Sequence, residues 1–429
     1  MHILPQLREI EKQYPDDVAV IGVHSGKYIA ERETPRIREA SLRYGITHPI
    51  VNDRQFRVWR SYAVNAWPSL VVIDRNGYVV GAHAGEFTAE MLQPLLRALV
   101  SMSPEQSRKI STHFPPERPG IAPSFLKYPG KVAVDGERIA ISDTGNHRVL
   151  IGKLESEDRM RVQHVVTSLE PSPGKEAGAP RELHSPQGLA FGDNRLYVAD
   201  SESHTVAVID LHTGKARTLA GTGKQMRTRS DRDEGALSSP WDLSVAEQTI
   251  YVAMAGIHQI WAIDSKTGLP RVHSGAGGED IADGPYSSAL LAQPMGITTD
   301  GKRLYFADAE SSAIRWADVD PDGMVGTIVG TGLFDFGDAD GIGEKVRMQH
   351  QQGVARRNNG ELLVADSYND ALKWVNVETR EARSWLRGFH EPGGVASAER
   401  CAYIADTNAH RIMVADYESG QLRVLEISS

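Results

Sequence analysis

The chain has 429 residues, of which 40% are hydrophobic and 24% are charged, with a net charge of -9. This length exceeds one ordinary hydrophobic core and predicts two or more domains or a repeat array. The acidic balance, without long blocks of like charge, removes the usual electrostatic basis for binding nucleic acid. Early charges argue against a signal peptide, and no apolar run approaches the ~18 residues that span a bilayer. We therefore expect a cytoplasmic protein with no nucleic-acid or membrane partner.

Residues 1–100 alternate predicted helices and strands and end in a hairpin and a helix. The predicted elements are a helix over Met1–Tyr14, a buried strand over Val18–Ser25, a helix capped by Thr34, a strand over Ile46–Val51, a short helix capped by Asp53, a hairpin turning at Arg75-Asn76-Gly77, and a last helix capped by Thr88. This order predicts a thioredoxin-like α/β domain.

The residues of this domain also resemble a known family. The segments MHILPQL, GVHS, ITHP and WPSLVVID are similar to the thioredoxin-like domain of the NHL repeat-containing proteins. The resemblance implies that Pro68, preceded by Trp67, is the cis-proline that faces a CxxC cysteine pair in this fold. His24 and Ser25 end a predicted parallel strand, at the edge where ligands gather in such sheets. Polar groups that simply face water at a strand end are the alternative for these two residues.

The resemblance further implies a strand and the CxxC pair directly before Met1, outside this chain. Thiol–disulfide exchange needs a thiolate of lowered pKa at a helix N-terminus and a second, resolving thiol. The predicted first helix carries neither. Either the chain begins at an internal methionine of a longer protein, which the lack of a preceding strand favours, or this member lost the pair and keeps the domain as a scaffold. The single cysteine, Cys401, suits a reducing compartment and is predicted to be a buried small hydrophobe.

Residues 101–128 form a predicted linker between two domains. They contain prolines at positions 104, 115, 116, 119 and 123 among polar residues. Such a composition favours extended, semi-rigid backbone. The predicted domains are therefore 1–100, a proline-rich linker over 101–128, and a second domain over 129–429.

One hairpin pattern, first seen in IAISDTGNHRVL from Ile139, recurs through the second domain. Its anchor positions are Asp143, Asp200, Met254, Asp308, Asp366 and Asp406. In five of the six repeats a second anchor, mostly Pro-x-Gly, begins 14 residues earlier. Repeats of this period with four strands each predict the six blades of an all-β propeller. In the second repeat the predicted strands are 188–191, 195–200, 205–210 and 216–220. The pattern resembles the NHL repeat, and the third repeat departs most, with Met254, Ala255 and Gly256 at the turn.

Strand polarity predicts where a binding surface lies. Because strands alternate in direction, the turn after the second strand opens on the same face as the long connection to the next blade, and long loops on a rigid scaffold tend to carry function. The candidate residues on this face are Asp143, Asn146, His147, Asp200, His204, His258, Asp308, Asp366, Asn369, Asp406 and His410. The recurrent Asp residues are better explained by hydrogen bonds from turn amides, and the recurrent His residues by rings packed between blades.

The leading functional prediction is a protein-interaction or scaffold protein, whose thioredoxin-like domain is redox-inactive in this chain, with a protein partner and no cofactor or metal. An alternative is a thiol–disulfide oxidoreductase in a longer native form, which would act in cell redox homeostasis. A second alternative is a metal-dependent propeller hydrolase or lyase with ligands at the axis. The calcium-like stretch from Asp318 lacks a carboxylate at its twelfth position, Val329, and is set aside. The sequence does not decide the oligomeric state.

Overall fold

A computed structural model describes residues 3–102, 124–171 and 180–428. The chain divides into two compact units, Met1–Ala122 and Pro123–Ser429. Most of the predicted linker lies outside the described residues, so its extended backbone and the domain limits at 100 and 129 stay predictions.

The first unit has the predicted α/β order within residues 3–102. Its elements are α1 Ile3–Gln13, β1 Gly22–His24, a 3-10 helix Ala30–Arg32, α2 Thr34–Arg43, β2 Ile50–Asn52, α3 Arg57–Ser61, β3 Ser69–Ile73, β4 Val79–Ala84 and α4 Ala89–Ser101. β1 pairs with β2 in parallel, and β3 pairs with β4 in an antiparallel hairpin. Ile10 of α1 and Leu96 of α4 meet in the core, because both helices present apolar residues at helical spacing.

Three details of this unit differ from the sequence predictions. The strand predicted over Ile46–Val51 is formed only over Ile50–Asn52. The strand predicted over Val18–Ser25 is formed only over Gly22–His24, because its described partner β2 is itself three residues long. Thr34 does not cap α2 but is its first residue, and its hydroxyl accepts a hydrogen bond from Asn52 at 3.0 Å. The predicted cap of α4 is confirmed, since the Thr88 hydroxyl accepts the backbone N–H of Met91.

The second unit is a propeller of six blades within residues 124–171 and 180–428. Each blade is an antiparallel sheet of four consecutive strands. The strands are, blade by blade, Val132–Asp135, Arg138–Asp143, Arg148–Ser156 and Arg159–Val166; Pro186–Gly192, Arg195–Asp200, Thr205–Asp210 and Ala216–Ala220; Pro240–Ala246, Thr249–Met254, Gln259–Asp264 and Pro270–Ser274; Pro294–Thr299, Arg303–Asp308, Ala313–Asp318 and Met324–Val329; Gly353–Arg356, Leu362–Asp366, Ala371–Val375 and Glu381–Arg387; Pro392–Ser397, Cys401–Asp406, Arg411–Asp416 and Leu422–Val424. The fold predicted from the repeats is confirmed.

Short elements lie in the connections of the propeller. A two-residue ladder joins Ser168–Leu169 to Arg181–Glu182, and helix α5 covers Arg229–Asp233. The 3-10 helices are Thr144–Asn146, Ala255–Ile257, Ala309–Ser311, Gly343–Lys345, Ser367–Asn369 and Thr407–Ala409. Five of these six follow the second strand of a blade, where the sequence predicted the turn.

The blades bury their faces against one another, because four short strands cannot form a core alone. Each of six hydrophobic clusters joins neighbouring blades. Ile141 of blade 1 packs in one cluster with Tyr403 of blade 6, which also contains the buried Cys401.

Glycine in the Pro-x-Gly anchor is explained by the close approach of the first strands around the axis. A Cβ on Gly188 would lie 2.4 Å from the Cα of Asp242 in the next blade. A Cβ on Gly394 would lie 2.9 Å from the carbonyl oxygen of Gly130. No side chain fits at either place.

The ring closes through the C-terminal strand Glu426–Ser428, which pairs in parallel with the outer strand of blade 1. Residues at the N-terminal side of blade 1 add a second closure, because the backbone N–H of Tyr128 donates to Nδ1 of His410 in blade 6 at 3.0 Å. The propeller is thus joined to itself at both its outer edge and its long-loop face.

Candidate functional site

Ser25, Trp67 and Pro68 come together in the first unit. The Trp67–Pro68 peptide bond is cis, as the resemblance implies. The Trp67 indole N–H donates to the Ser25 carbonyl at 2.8 Å, and the Ser25 hydroxyl donates to Asp53 at 2.9 Å. His24 is adjacent, and its Nε2 is buried without a hydrogen-bond partner among the described residues.

Asp53 organises this edge by capping α3, as predicted. Its carboxylate accepts the backbone N–H groups of Arg57, Val58 and Trp59 at 2.7, 3.1 and 2.9 Å. Burial acts to raise the pKa of Asp53, but these N–H groups and the Ser25 hydroxyl outweigh burial and hold the pKa below its usual value. The Ser25 side chain therefore makes a structural hydrogen bond to Asp53 and does not face water.

The recurrent Asp residues of the propeller hold the chain that enters their own blade. Each is fully buried and accepts a backbone N–H from a residue 16 or 17 positions earlier. These pairs are Lys127 to Asp143, His184 to Asp200, Ala292 to Asp308, Gln349 to Asp366 and His390 to Asp406. The sequence predicted amides of the following turn, but the bound amides belong to the preceding connection.

Cations that the sequence prediction missed pair with four of these carboxylates. The ion pairs are Arg148 with Asp143 at 2.6 Å, Arg181 with Asp200 at 3.6 Å, Arg315 with Asp308 at 3.0 Å, and Arg411 with Asp406 at 2.8 Å. Arg148 and Arg411 each stand five residues after the Asp, a spacing that could have been noticed. Each Asp side chain is fully buried and already paired, so these carboxylates are part of the fold and not free ligand groups.

Asn146 and Asn369 also support the buried Asp of their own blades. The Asn146 amide donates to Asp143, and the Asn369 amide donates to Asp366, both at 2.8 Å. Burial raises the pKa of Asp366 to about 7 against the lowering effect of the Asn369 hydrogen bond. Neither amide is therefore a free ligand group.

The last residue of the turn after strand two links each of five blades to the next. It has a φ between 51° and 56°, and its side chain accepts the backbone N–H of the residue that precedes the next blade's first anchor. These pairs are His204 with Ser239, His258 with Gln293, Ser312 with His350, Asp370 with Glu391, and His410 with Tyr128.

The recurrent histidines therefore link blades by hydrogen bonding, and the His410 ring also packs edge-to-face on Tyr128 with ring centroids 4.4 Å apart, the kind of contact that the sequence predicted. In blade 1 the geometry differs, since Nδ1 of His147 contacts the carbonyl oxygen of His184 and the side chain is exposed. Nδ1 of His204, His258 and His410 must be unprotonated to accept these hydrogen bonds, so Nε2 carries the ring proton.

Two of the long connections are built into blades. Gly284–Pro285 adds a fifth strand to blade 4, and Gly341–Ile342 adds one to blade 5. An Asp precedes each added strand and binds the neighbouring outer strand: Asp283 accepts the backbone N–H of Thr327 at 2.9 Å, and Asp340 does the same for Ser384. These loops therefore extend the scaffold.

The connection between blades 2 and 3 is different, because it borders a pocket of about 690 Å³. Arg227, Arg229 and Arg232 line this pocket from the connection, and all three are exposed. Ile257 and His258 line it from the blade 3 turn. This is the repeat that departs most from the pattern.

The propeller axis holds a buried ion pair that the sequence analysis did not identify. Nζ of Lys131 lies 3.3 Å from a carboxylate oxygen of Asp242 and donates to the carbonyls of Met295 and Gln352, from two further blades. Burial lowers the pKa of Lys131 and raises that of Asp242, and each partner partly offsets the effect on the other. The usable clue was a charged residue at the third anchor position in two repeats, Lys131 and Asp242, where the other four repeats have Gly.

Comparison with known proteins agrees with both units. A thioredoxin-like family model matches residues 1–79, and an NHL repeat model matches residues 183–209, which include blade 2. NHL repeat-containing protein 2 of Gallus gallus is 35% identical over 100% of this chain and 66% of its own length. The chain belongs to the thioredoxin-like, NHL repeat-containing protein family.

A further relative within this similarity is the protein SUPPRESSOR OF QUENCHING 1, chloroplastic, of Arabidopsis thaliana, which is 35% identical over 98% of this chain and 43% of its own length. The chain spans 66% of the length of the Gallus gallus NHL repeat protein. The activities and partners of the whole relatives therefore enter only as proposals.

A solved structure of an auxiliary nutrient binding protein from Bacteroides ovatus has a TM-score of 0.50 with 12% identity. The likeness covers 69% of this chain and 70% of that chain and concerns the fold alone. Within residues 3–102, 124–171 and 180–428, no helix is both long and apolar enough to cross a membrane.

Proposed function

We propose that this NHL propeller binds a protein partner through the face that carries the turns after strand two and the long connections. The observation that carries the proposal is the pocket between blades 2 and 3, bordered by exposed Arg227, Arg229 and Arg232. Phe334, 71% exposed, adds an apolar contact group from the connection between blades 4 and 5. NHL propellers commonly mediate protein interactions.

The face can be tested on the full chain by co-purification from cells of its source. Arg229→Glu combined with Phe334→Glu changes the long-loop face, and we expect it to release the partner. Arg271→Glu combined with Lys302→Gln makes the same change in net charge away from that face, and we expect it to retain the partner. A partner that persists with the first variant and is lost with the second contradicts the proposed face.

The thioredoxin-like unit is proposed as a second, redox-inactive surface. It contains no cysteine, since Cys401 belongs to blade 6, and thiol–disulfide exchange needs a reactive thiolate. Trp67 is 47% exposed beside Ser25 and offers an aromatic contact group. In an insulin-reduction assay we expect this chain to match a buffer control, and turnover above that control would contradict the proposal.

The oxidoreductase alternative takes second place and rests on the thioredoxin-like match over residues 1–79. It requires a longer native form with an upstream cysteine pair, and an extended chain that reduced insulin would support it. A cytoplasmic location likewise stays a prediction, because one relative is named chloroplastic.

We do not propose a metal-dependent hydrolase or lyase. Such an enzyme would need carboxylates, amides or histidines that are free to bind a metal at the axis. The axial carboxylate, Asp242, instead faces the Lys131 ammonium at 3.3 Å. Within the part of the chain that the structure describes, no group of three His, Cys, Asp or Glu residues could hold a metal ion.

A further inference from the structure

We infer that the pocket between blades 2 and 3 binds a short acidic segment of a partner protein, with carboxylates on its arginines and an apolar side chain against Met226 and Ile257. The inference rests on the proposed function and names the chemistry that the long-loop face recognises. We call this the blade 2–3 pocket and define it by Met226, Arg227, Arg229, Arg232, Ile257 and His258.

Blade 3 lacks the internal carboxylate that the other five blades have. Met254 occupies the Asp position and is fully buried. In four other blades, that Asp pairs with an arginine within 3.6 Å. The equivalent space in blade 3 is apolar, because Met254 packs in one cluster with Trp261. The arginines near this turn therefore have no buried counter-charge beneath them.

Two of the connection's three carboxylates already have partners within the connection. One oxygen of Asp231 accepts the backbone N–H groups of Arg227 and Thr228 at 3.0 and 2.7 Å, which closes a capping box around α5. These backbone bonds, that of Arg227 foremost, lower the pKa of Asp231. Asp233 lies 3.6 Å from Arg232. Asp231 is thus occupied by capping the helix backbone, and Asp233 by a weak surface ion pair.

Arg227 and Arg229 form no close ion pair with a described carboxylate, although the charge of Arg227 also acts on Asp231 from a greater distance. The Arg227 guanidinium donates to the side-chain oxygen of Gln225 at 2.9 and 3.1 Å. Across residues 3–102, 124–171 and 180–428, neither arginine has a carboxylate within 4.0 Å. Guanidinium groups bind carboxylates bidentately, so these two can receive acidic side chains from outside.

The remaining lining favours a peptide over a nucleic acid. Met226 and Ile257 are half-buried and pack on the cluster between blades 2 and 3, so they can cover one apolar side chain next to the carboxylates. The connection has four basic and three acidic residues, and the whole chain has a net charge of -9. Such a weak positive field suits a few carboxylates and not a phosphate backbone.

Fluorescence anisotropy with the full chain tests the inference. The probe is a fluorescein-labelled peptide Asp-Glu-Leu-Asp-Glu, and the matched neutral peptide is Asn-Gln-Leu-Asn-Gln. We expect saturable binding of the acidic probe only, weaker at 300 mM than at 50 mM salt because salt screens exposed charges. Arg227→Gln combined with Arg229→Gln should weaken binding about tenfold or more, the factor that ~1.4 kcal/mol represents. Arg271→Gln combined with Lys302→Gln should leave binding unchanged.

Gly256 offers a second variant that keeps the arginines. The turns of blades 2 and 4 carry Glu202 and Glu310 at the equivalent position, and φ of Gly256 is not positive, so a side chain is compatible with the fold. Gly256→Glu should abolish probe binding by filling the pocket edge with a carboxylate. Gly256→Gln, of the same size but neutral, should weaken binding less.

The outcomes separate this inference from the proposed function. Equal binding by wild type and by both the arginine and Gly256→Glu variants would overturn the inference, and so would failure of the acidic probe to bind. Tighter binding of a single-stranded 12-mer oligonucleotide than of the peptide would also overturn it. If the inference fails while the Arg229→Glu and Phe334→Glu chain still loses its partner, the proposed face stands with another chemistry.

Discussion

Replacing Lys131 by methionine tests the ion pair at the propeller axis. Methionine keeps the length of the side chain and removes its charge. The change leaves Asp242 buried with two backbone donors, the N–H groups of Leu243 at 2.9 Å and Ile297 at 3.3 Å. It also removes the donor to the Met295 carbonyl, now 3.0 Å from Nζ.

The size of the effect follows from this geometry. The side chains of Lys131 and Asp242 are only 5% and 10% exposed, so water does not replace the lost partner. Breaking a buried pair at one end costs about 3–5 kcal/mol, and we expect Lys131→Met to lower the free energy of unfolding of the propeller by that amount. Adding Asp242→Asn should recover about half, since no unpaired buried charge then remains.

Urea unfolding followed by tryptophan fluorescence measures these differences at pH 8 and pH 5. Burial raises the pKa of Asp242, and without the ammonium its carboxylate protonates more readily, so the cost of Lys131→Met should be smaller at pH 5. A single-variant cost below ~1 kcal/mol, or a double-variant cost equal to the sum of both single costs, would refute the account of a coupled buried pair.

Three further predictions concern other sites. Burial raises the pKa of Asp366 to about 7, above its ordinary 3.8, so its contribution to stability falls as the pH rises from 4 to 7, by up to ~4 kcal/mol; Asp366→Asn should flatten that slope in pH-dependent unfolding. His410→Ala leaves the Tyr128 N–H without its acceptor and should lower the free energy of unfolding by about 1–3 kcal/mol in calorimetry, whereas His212→Ala, on an exposed hairpin, should change it by less than ~0.5 kcal/mol. Thr88→Ala removes the cap of α4 and should cost about 1 kcal/mol, visible as faster amide exchange in that helix.

Each of these predictions has a contrary result. An unchanged pH slope in Asp366→Asn would mean that this carboxyl group does not titrate differently in the folded protein. Equal effects of the two histidine variants would mean that the bond to Tyr128 adds nothing to ring closure. Unaltered exchange after loss of Thr88 would mean that the cap is not needed.

Local patterns carried most of the fold prediction. The strands Arg195–Asp200, Thr205–Asp210 and Ala216–Ala220 lie where alternation and turn residues predicted them. Three of blade 2's four strands are therefore found without shift. In the first unit, Asp53 and Thr88 could be assigned as caps because capping involves residues a few positions apart.

Contacts between distant residues could not be predicted in this way. Lys131 and Asp242 stand in different blades and meet only because the ring closes around an axis, and the strand Glu426–Ser428 finds its partner in blade 1 for the same reason. The hydrogen bond between Tyr128 and His410 could not be predicted because 282 positions separate the two residues.

The sequence predicted which face of the propeller carries the candidate binding surface. The structure limits that surface to one connection on the face. Of the long connections between blades, two contain the same Ala-Asp-Gly motif, at Asp283 and Asp340, next to the added strand that docks onto a blade. The connection around Arg229 lacks that motif and borders the pocket. Comparing the sequences of these connections would have distinguished the connection around Arg229 from the two that dock onto a blade.

Site-specific photo-crosslinking tests the central claim most directly. A benzophenone-bearing phenylalanine at position 334 replaces an exposed aromatic side chain on the long-loop face, and the same group at position 302 lies on a tight hairpin between the first two strands of blade 4. Irradiation of the full chain in cells of its source should give a discrete crosslinked protein from position 334 and none from position 302. The same product from position 302 alone would contradict an interaction through the long-loop face.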